Sequence, residues 1–153
     1  MHQRIYVDTS VVGGIYDEEF ELFTKILFER VFKREVRLII SELLEGELIN
    51  APEQVREFFQ SLPVDQLEFV KLTREAIELA ELYIGEKVVG ETSRADCRHI
   101  AIATLANADV LVSWNFQHIV NLKRIRGYNS INLREGLRSL EIRSPKELME
   151  YEN

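Results

Sequence analysis

Apolar positions in this chain follow two rhythms. Short apolar runs at residues 4–7, 37–40 and 109–113 read as buried strands, and 67–72 reads as a further strand. Between them apolar residues recur at three- and four-residue steps, the period of a helix. Phe20, Phe23, Leu27 and Val31 share a stripe within 18–34, Leu43, Leu44 and Leu48 share one within 42–49, and 53–62 is amphipathic. Thr73 opens a long helix carrying Ile77, Ala80, Ile84 and Val88, and residues 93–107 form an alanine-rich one. A helix over 118–126, stopped by Gly127 at its C-terminal cap position, and a last strand at 130–133 are expected next. Ser144-Pro145-Lys146-Glu147 has the form of a capping box with proline at the first helical position, so a short helix follows it. Strands alternating with helices imply an α/β fold with a mainly parallel sheet covered on both faces. In such sheets ligands collect beyond the carboxyl ends of the strands.

Three acids and an amide stand at those ends. Asp8 directly follows the first strand, where it also suits a turn or helix N-cap beside Thr9 and Ser10. Glu47 falls inside the Leu43–Leu44–Leu48 stripe at about 100° per residue, whereas Glu42 and Glu45 lie opposite it. A carboxylate on an apolar face needs a partner or a cation. Asp96 shares a face with Ile100, Ala103 and Asn107, although Ser93-Arg94-Ala95-Asp96 also resembles a capping box. Asn115 follows the strand at 109–113, at the same sheet end as Asp8. Asp109 sits at the opposite end of its strand and reads as structural. Two converging carboxylates repel by about 4 kcal/mol at ~4 Å and an effective dielectric of ~20. Oxygen-ligated Mg²⁺ or Mn²⁺ removes that cost, and the chemistry such a cation supports is phosphodiester hydrolysis.

Composition narrows the class. At 153 residues, without repeats or a Gly/Pro/Ser linker, the chain reads as one domain over 1–153. Lys and Arg total 19 against 26 Asp and Glu, a net charge of −7. That argues against a protein held on nucleic acid by counterion release, but not against an enzyme whose anionic substrate is bridged to carboxylates by cations. Cys97 is the only cysteine, so no internal disulfide forms. No apolar run is long enough for a membrane span, and the first strand leaves no room for a signal peptide, so a cytoplasmic location is expected.

Four strings then resemble the ordered motifs of PIN domains. They are Ile5-Tyr6-Val7-Asp8-Thr9-Ser10, Ile40-Ser41-Glu42-Leu43-Leu44-Glu45-Gly46-Glu47-Leu48, Ala95-Asp96-Cys97-Arg98-His99-Ile100-Ala101 and Ala108-Asp109-Val110-Leu111-Val112-Ser113-Trp114-Asn115. The resemblance implies a three-layer α/β/α sandwich and Mg²⁺- or Mn²⁺-dependent ribonuclease activity on single-stranded RNA. It implies Asp8, Glu47 and Asp96 as metal-binding acids. It also implies the partners of VapC-type toxins, a small antitoxin protein and a second copy of the chain. Where the family's fourth acid follows the motif's last strand, this chain has Asn115, which supplies an amide oxygen but no charge.

The remaining candidates are less directed. Arg94 and Arg98 flank Asp96 and suit either phosphate or solvent. Lys33-Arg34 and Lys123-Arg124-Ile125-Arg126 are small basic clusters. His99 and His118 match no zinc spacing, and His99 reads as a satisfied residue near the sheet. Trp114 suits base stacking, core packing or a lid. Two rival functions stand beside the nuclease: a degenerate PIN module that binds RNA or a protein without cutting, and an aspartyl-phosphate phosphatase. The phosphatase pattern places a second Asp two residues after the first, where this chain has Ser10.

Overall fold

The structure is a computed structural model that describes residues 2–90 and 94–152. Among them the strands form one parallel five-stranded sheet in the order β3-β2-β1-β4-β5. The strands are β1 (Gln3–Val7), β2 (Val36–Ser41), β3 (Leu67–Val70), β4 (Val110–Val112) and β5 (Ile142–Arg143). The helices are α1 (Thr9–Gly13), α2 (Glu21–Phe32), α3 (Glu42–Leu48), α4 (Glu53–Gln60), α5 (Arg74–Gly85), α6 (Arg94–Leu105), α7 (Leu122–Arg134) and α8 (Pro145–Glu152).

The unbroken apolar runs make sense once both faces are seen. Successive side chains of a strand point to opposite faces. Ile5, Val7, Leu38, Ile40, Val110 and Val112 join a core with Val11, Leu27, Phe28, Val31, Val55 and Met149 from α1, α2, α4 and α8. Tyr6, Ile39 and Leu111 join a second core with Leu79, Tyr83, Ile100, Ala103, Tyr128 and Ile131 from α5, α6 and α7. Two helical layers thus enclose the sheet, the three-layer α/β/α sandwich of a PIN-domain fold. The capping box before α8 is present: Glu147 N–H donates to Ser144 Oγ (3.1 Å) and Ser144 N–H to Glu147 Oε1 (3.0 Å).

Several segments depart from expectation. Residues 130–133 are not a strand but the end of α7, and the last strand is the two-residue β5. Gly127 does not stop a helix; it lies within α7. A Cβ there would come within 2.8 Å of a Val88 methyl, so the glycine admits the turn after α5 against the helix. The buried face of α5 is Ala76, Leu79, Ala80 and Tyr83, rotated from the Ile77–Ala80–Ile84 stripe, and Val88 lies beyond the helix end. Residues 9–13, which carry no long apolar pattern, form the short α1 directly after β1.

Strand order locates a crevice. The chain builds outward from β1 through β2 to β3, then crosses back to add β4 and β5 on the other side of β1. Connections leave β1 and β4 in opposite directions, so their carboxyl ends flank the switch point at which open α/β sheets bind ligands.

Candidate functional site at the β1–β4 switch point

Asp8 is the first residue beyond β1 and the N-cap of α1. Its Oδ1 accepts from Ser10 Oγ (2.6 Å) and Val11 N–H (3.3 Å), and its Oδ2 accepts from Ser113 Oγ across the gap to β4 (2.6 Å). The N-cap reading is therefore correct for this residue, and its second oxygen is tied to β4. Only 4% of it is exposed. Burial pushes its carboxyl above the usual range, against the charge of His99 and the donors from Ser10, Ser113 and Val11.

Glu47 arrives on α3, which Ser41 caps by accepting Leu44 N–H at 3.0 Å. Leu44 and Leu48 pack into the first core and Leu43 against the second, so α3 straddles the sheet end. Glu47 is consequently exposed at the rim, not enclosed as its stripe position suggested. The partner that this position required is His99, not an arginine. Glu47 Oε1 accepts from His99 Nε2 (2.7 Å) and Thr9 Oγ1 (2.7 Å). Burial alone would raise the Glu47 carboxyl; the His99 and Thr9 hydrogen bonds and the His99 charge outweigh it and hold the group below the ordinary range.

His99 is buried and satisfied on both sides, its Nδ1 2.6 Å from the Tyr6 hydroxyl, which donates to Ser41 Oγ at 3.0 Å. One turn earlier on α6, Asp96 Oδ2 accepts from Asn115 Nδ2 (3.2 Å) and lies 3.4 Å from His118 Nδ1. Whether Ser93 caps this helix lies outside the described residues.

Asn115 ties the two halves together. Its backbone N–H donates to Ser113 Oγ (2.9 Å), its Oδ1 accepts from Gln117 N–H (3.2 Å) and His118 N–H (2.9 Å), and its Nδ2 reaches Asp96. Hydrogen bonds therefore run from Asp96 through Asn115 and Ser113 to Asp8, while Glu47 joins the same end through Thr9 and His99. All four residues singled out from sequence lie at this end of the sheet. Sequence reasoning passed over Ser113 and Tyr6, and gave Thr9 and Ser10 only a turn role. The available signal was a hydroxyl next to each strand-end acid.

An oxygen-only donor set suits a hard divalent cation in kind. Among the described residues no lysine or arginine bridges Asp8, Glu47 or Asp96 in place of one. In arrangement, no group of three or more His, Cys, Asp or Glu side chains among the described residues is gathered for a metal. A Mg²⁺ ion asks for less, because one or two carboxylates complete its six ligands with water and substrate oxygens. Asp8 and Asp96 supply carboxylate oxygens of the kind such an ion takes.

The other candidates resolve by packing. Trp114 is core: its Nε1 donates to Thr24 Oγ1 (2.8 Å), and its ring stacks on Phe20 at 4.4 Å and 19°. Asp109 accepts Arg4 N–H at 2.7 Å, the structural role expected of it. Arg94 pairs with Glu81, Arg34 with Asp65, and Arg124 bonds the Val88 carbonyl. A cleft of about 660 Å³ lies at the amino ends of the strands, lined by His2, Arg4, Arg30, Glu35 and Asp109, and holds none of the four site residues. Among the described residues no helix is long and apolar enough to cross a membrane.

The sequence matches no protein-family model and no curated protein. Solved structures do match in fold. The Rickettsia felis VapBC2 complex, bound to a DNA fragment from its promoter, aligns at a TM-score of 0.58 and 14% identity over 93% of this chain and 98% of that one. Mycobacterium tuberculosis VapC20, a toxin that cleaves the sarcin-ricin loop, aligns at 0.58 and 13% over 74% and 91%. DNA-bound VapBC from Salmonella typhimurium aligns at 0.55 and 17% over 95% and 99%.

Proposed function

We propose that the chain is a Mg²⁺- or Mn²⁺-dependent endoribonuclease acting on single-stranded RNA, and the toxin of a toxin–antitoxin pair. The observation that carries this reading is the hydrogen-bonded path Asp8–Ser113–Asn115–Asp96 across the β1–β4 switch point, with no lysine or arginine among the described residues paired to its acids. The likeness in fold to VapBC complexes and to a loop-cleaving VapC toxin supports it. Asp8 and Asp96 hold the cation, with Glu47 completing the acidic rim. A bound Mg²⁺ or Mn²⁺ supplies Lewis acidity toward a phosphate oxygen and a water nucleophile at neutral pH. Ser10 and Ser113 fix the rotamer of Asp8, and Asn115 aims Asp96. Thr9 and His99 hold Glu47 at the rim. A small antitoxin protein and a second copy of the chain are the proposed partners, in the cytoplasm.

Cleavage of a single-stranded RNA by the purified chain with Mg²⁺ or Mn²⁺, compared with Asp96→Asn and with chelator, tests this. Cutting by the wild type alone, abolished by chelation, supports the reading; equal cutting by Asp96→Asn refutes it. A second reading, a module that binds RNA or protein without cutting, is favoured by one feature: the Asn115 Oδ1 is engaged by Gln117 and His118 N–H groups. It predicts RNA binding without metal-dependent products.

A further inference from the structure

Next to Asn115 in the chain, the exposed aromatic residue is Phe116, not Trp114. Trp114 is 8% exposed and locked by Thr24 and Phe20, whereas Phe116, one residue past Asn115, is 49% exposed. Its ring leans on that fixed base, 6.0 Å from Trp114 at 62° and 6.4 Å from Phe20. The mount is also bound to the acids. Trp114 N–H donates to Ser10 Oγ at 3.0 Å, and Ser10 in turn donates to Asp8. The turn that carries Phe116 is closed by Gln117 and His118 N–H groups on Asn115 Oδ1.

A lone surface aromatic is ordinary on a protein. This one differs in two respects. Its backbone is fixed on both sides, so stacking costs little ordering, and its Cα lies one peptide step, ~3.8 Å, from that of the residue aiming Asp96. Single strands are held by aromatic faces that take any base while phosphates meet the charged part of the site. With net charge −7, and with Arg34, Arg94 and Arg124 engaged elsewhere, stacking is a means of substrate retention that does not depend on a basic groove.

We infer that Phe116 is a stacking platform for a nucleobase of single-stranded RNA next to the phosphate held at Asp8 and Asp96. This inference rests on the ribonuclease reading. The test uses the wild-type chain as parent and a short single-stranded RNA containing 2-aminopurine, titrated with Ca²⁺, a hard cation for oxygen ligands, in place of Mg²⁺. The parent is expected to bind and to quench the 2-aminopurine fluorescence. Adding Phe116→Ala should weaken binding by ~5- to 100-fold and remove the quench, while Phe116→Tyr should keep both. An Ala variant that binds as tightly as the parent, or that still quenches at saturation, overturns the platform and leaves the ring to a protein partner or to solvent. A parent that binds no RNA overturns the ribonuclease reading, and the platform with it.

Discussion

The Asn115 side chain donates from Nδ2 to Asp96 Oδ2 at 3.2 Å, in the place where a fourth carboxylate would face Asp96. An aspartate at 115 keeps the turn, because one oxygen can still accept from Gln117 and His118. Its other oxygen replaces a donor with a like charge. Asn115→Asp is expected to lower the thermal midpoint in chelator by ~2–4 °C, on the order of 1 kcal/mol at this chain length. Mn²⁺ should then raise it by more than it raises the wild type. Thermal scans with and without Mn²⁺ check both signs; a midpoint indifferent to the metal removes position 115 from the site.

Asp8 is a carboxyl whose burial favours its neutral form. A group with a raised folded pKa contributes stability that is full below its unfolded value, ~3.9, and is lost as pH rises through the folded value. At neutral pH the fold therefore bears the cost of an ionised Asp8. Asp8→Asn should stabilise the metal-free protein by about 0.5–2 kcal/mol while abolishing cleavage, the trade expected at a functional site. Denaturant midpoints at pH 7 in chelator measure it; a destabilised variant would show that the charge is well solvated in the fold.

The Glu47–His99 contact has the opposite sign. The Glu47 carboxyl is held below its ordinary range, so its contribution is present above ~4.3 and fades as pH falls through the lower folded value. Wild type should exceed Glu47→Gln in stability near neutrality, and the two should converge in acid. A gap that persists to the lowest pH at which both fold would place the effect in packing instead.

Much of this was legible in the chain. Residues 4–7 and 109–113 read as doubly buried strands because both faces of β1 and β4 are covered, and Asp8 and Asn115 after them fell at the crevice. The last strand was not legible. β5 has two residues, and its pairing with β4 is fixed by tertiary contact rather than by pattern. Residues 130–133 alternate like a strand, yet Ile131 and the buried Asn132 are drawn into α7 by Tyr83, whose hydroxyl donates to Asn132 Oδ1 at 2.5 Å. The partner of Glu47 was equally hidden, since His99 is 52 residues away.

Gly127 tests the corrected helix. Alanine there gains ~1 kcal/mol of helix propensity but drives a Cβ within 2.8 Å of Val88, and overpacking costs about 1–3 kcal/mol. Gly127→Ala should destabilise the wild type yet stabilise a Val88→Ala background. Equal effects in both backgrounds would mean that the two residues do not meet.

Gly14 tests the mount of the site. A Cβ there would lie 2.9 Å from Thr24 Oγ1 and 3.0 Å from Trp114 Nε1. Gly14→Ala should break that hydrogen bond, cost about 1–3 kcal/mol and shift the emission of the single tryptophan to the red. An unchanged spectrum would show the indole anchored by other contacts.

The central claim is that Asp8 and Asp96, from opposite sides of the switch point, hold one divalent cation. Calorimetric titration of Mn²⁺ into the wild type, Asp8→Asn and Asp96→Asn addresses it directly. Saturable binding by the wild type, weakened at least about tenfold by either substitution, is the predicted result. Isotherms that do not differ among the three proteins would contradict it.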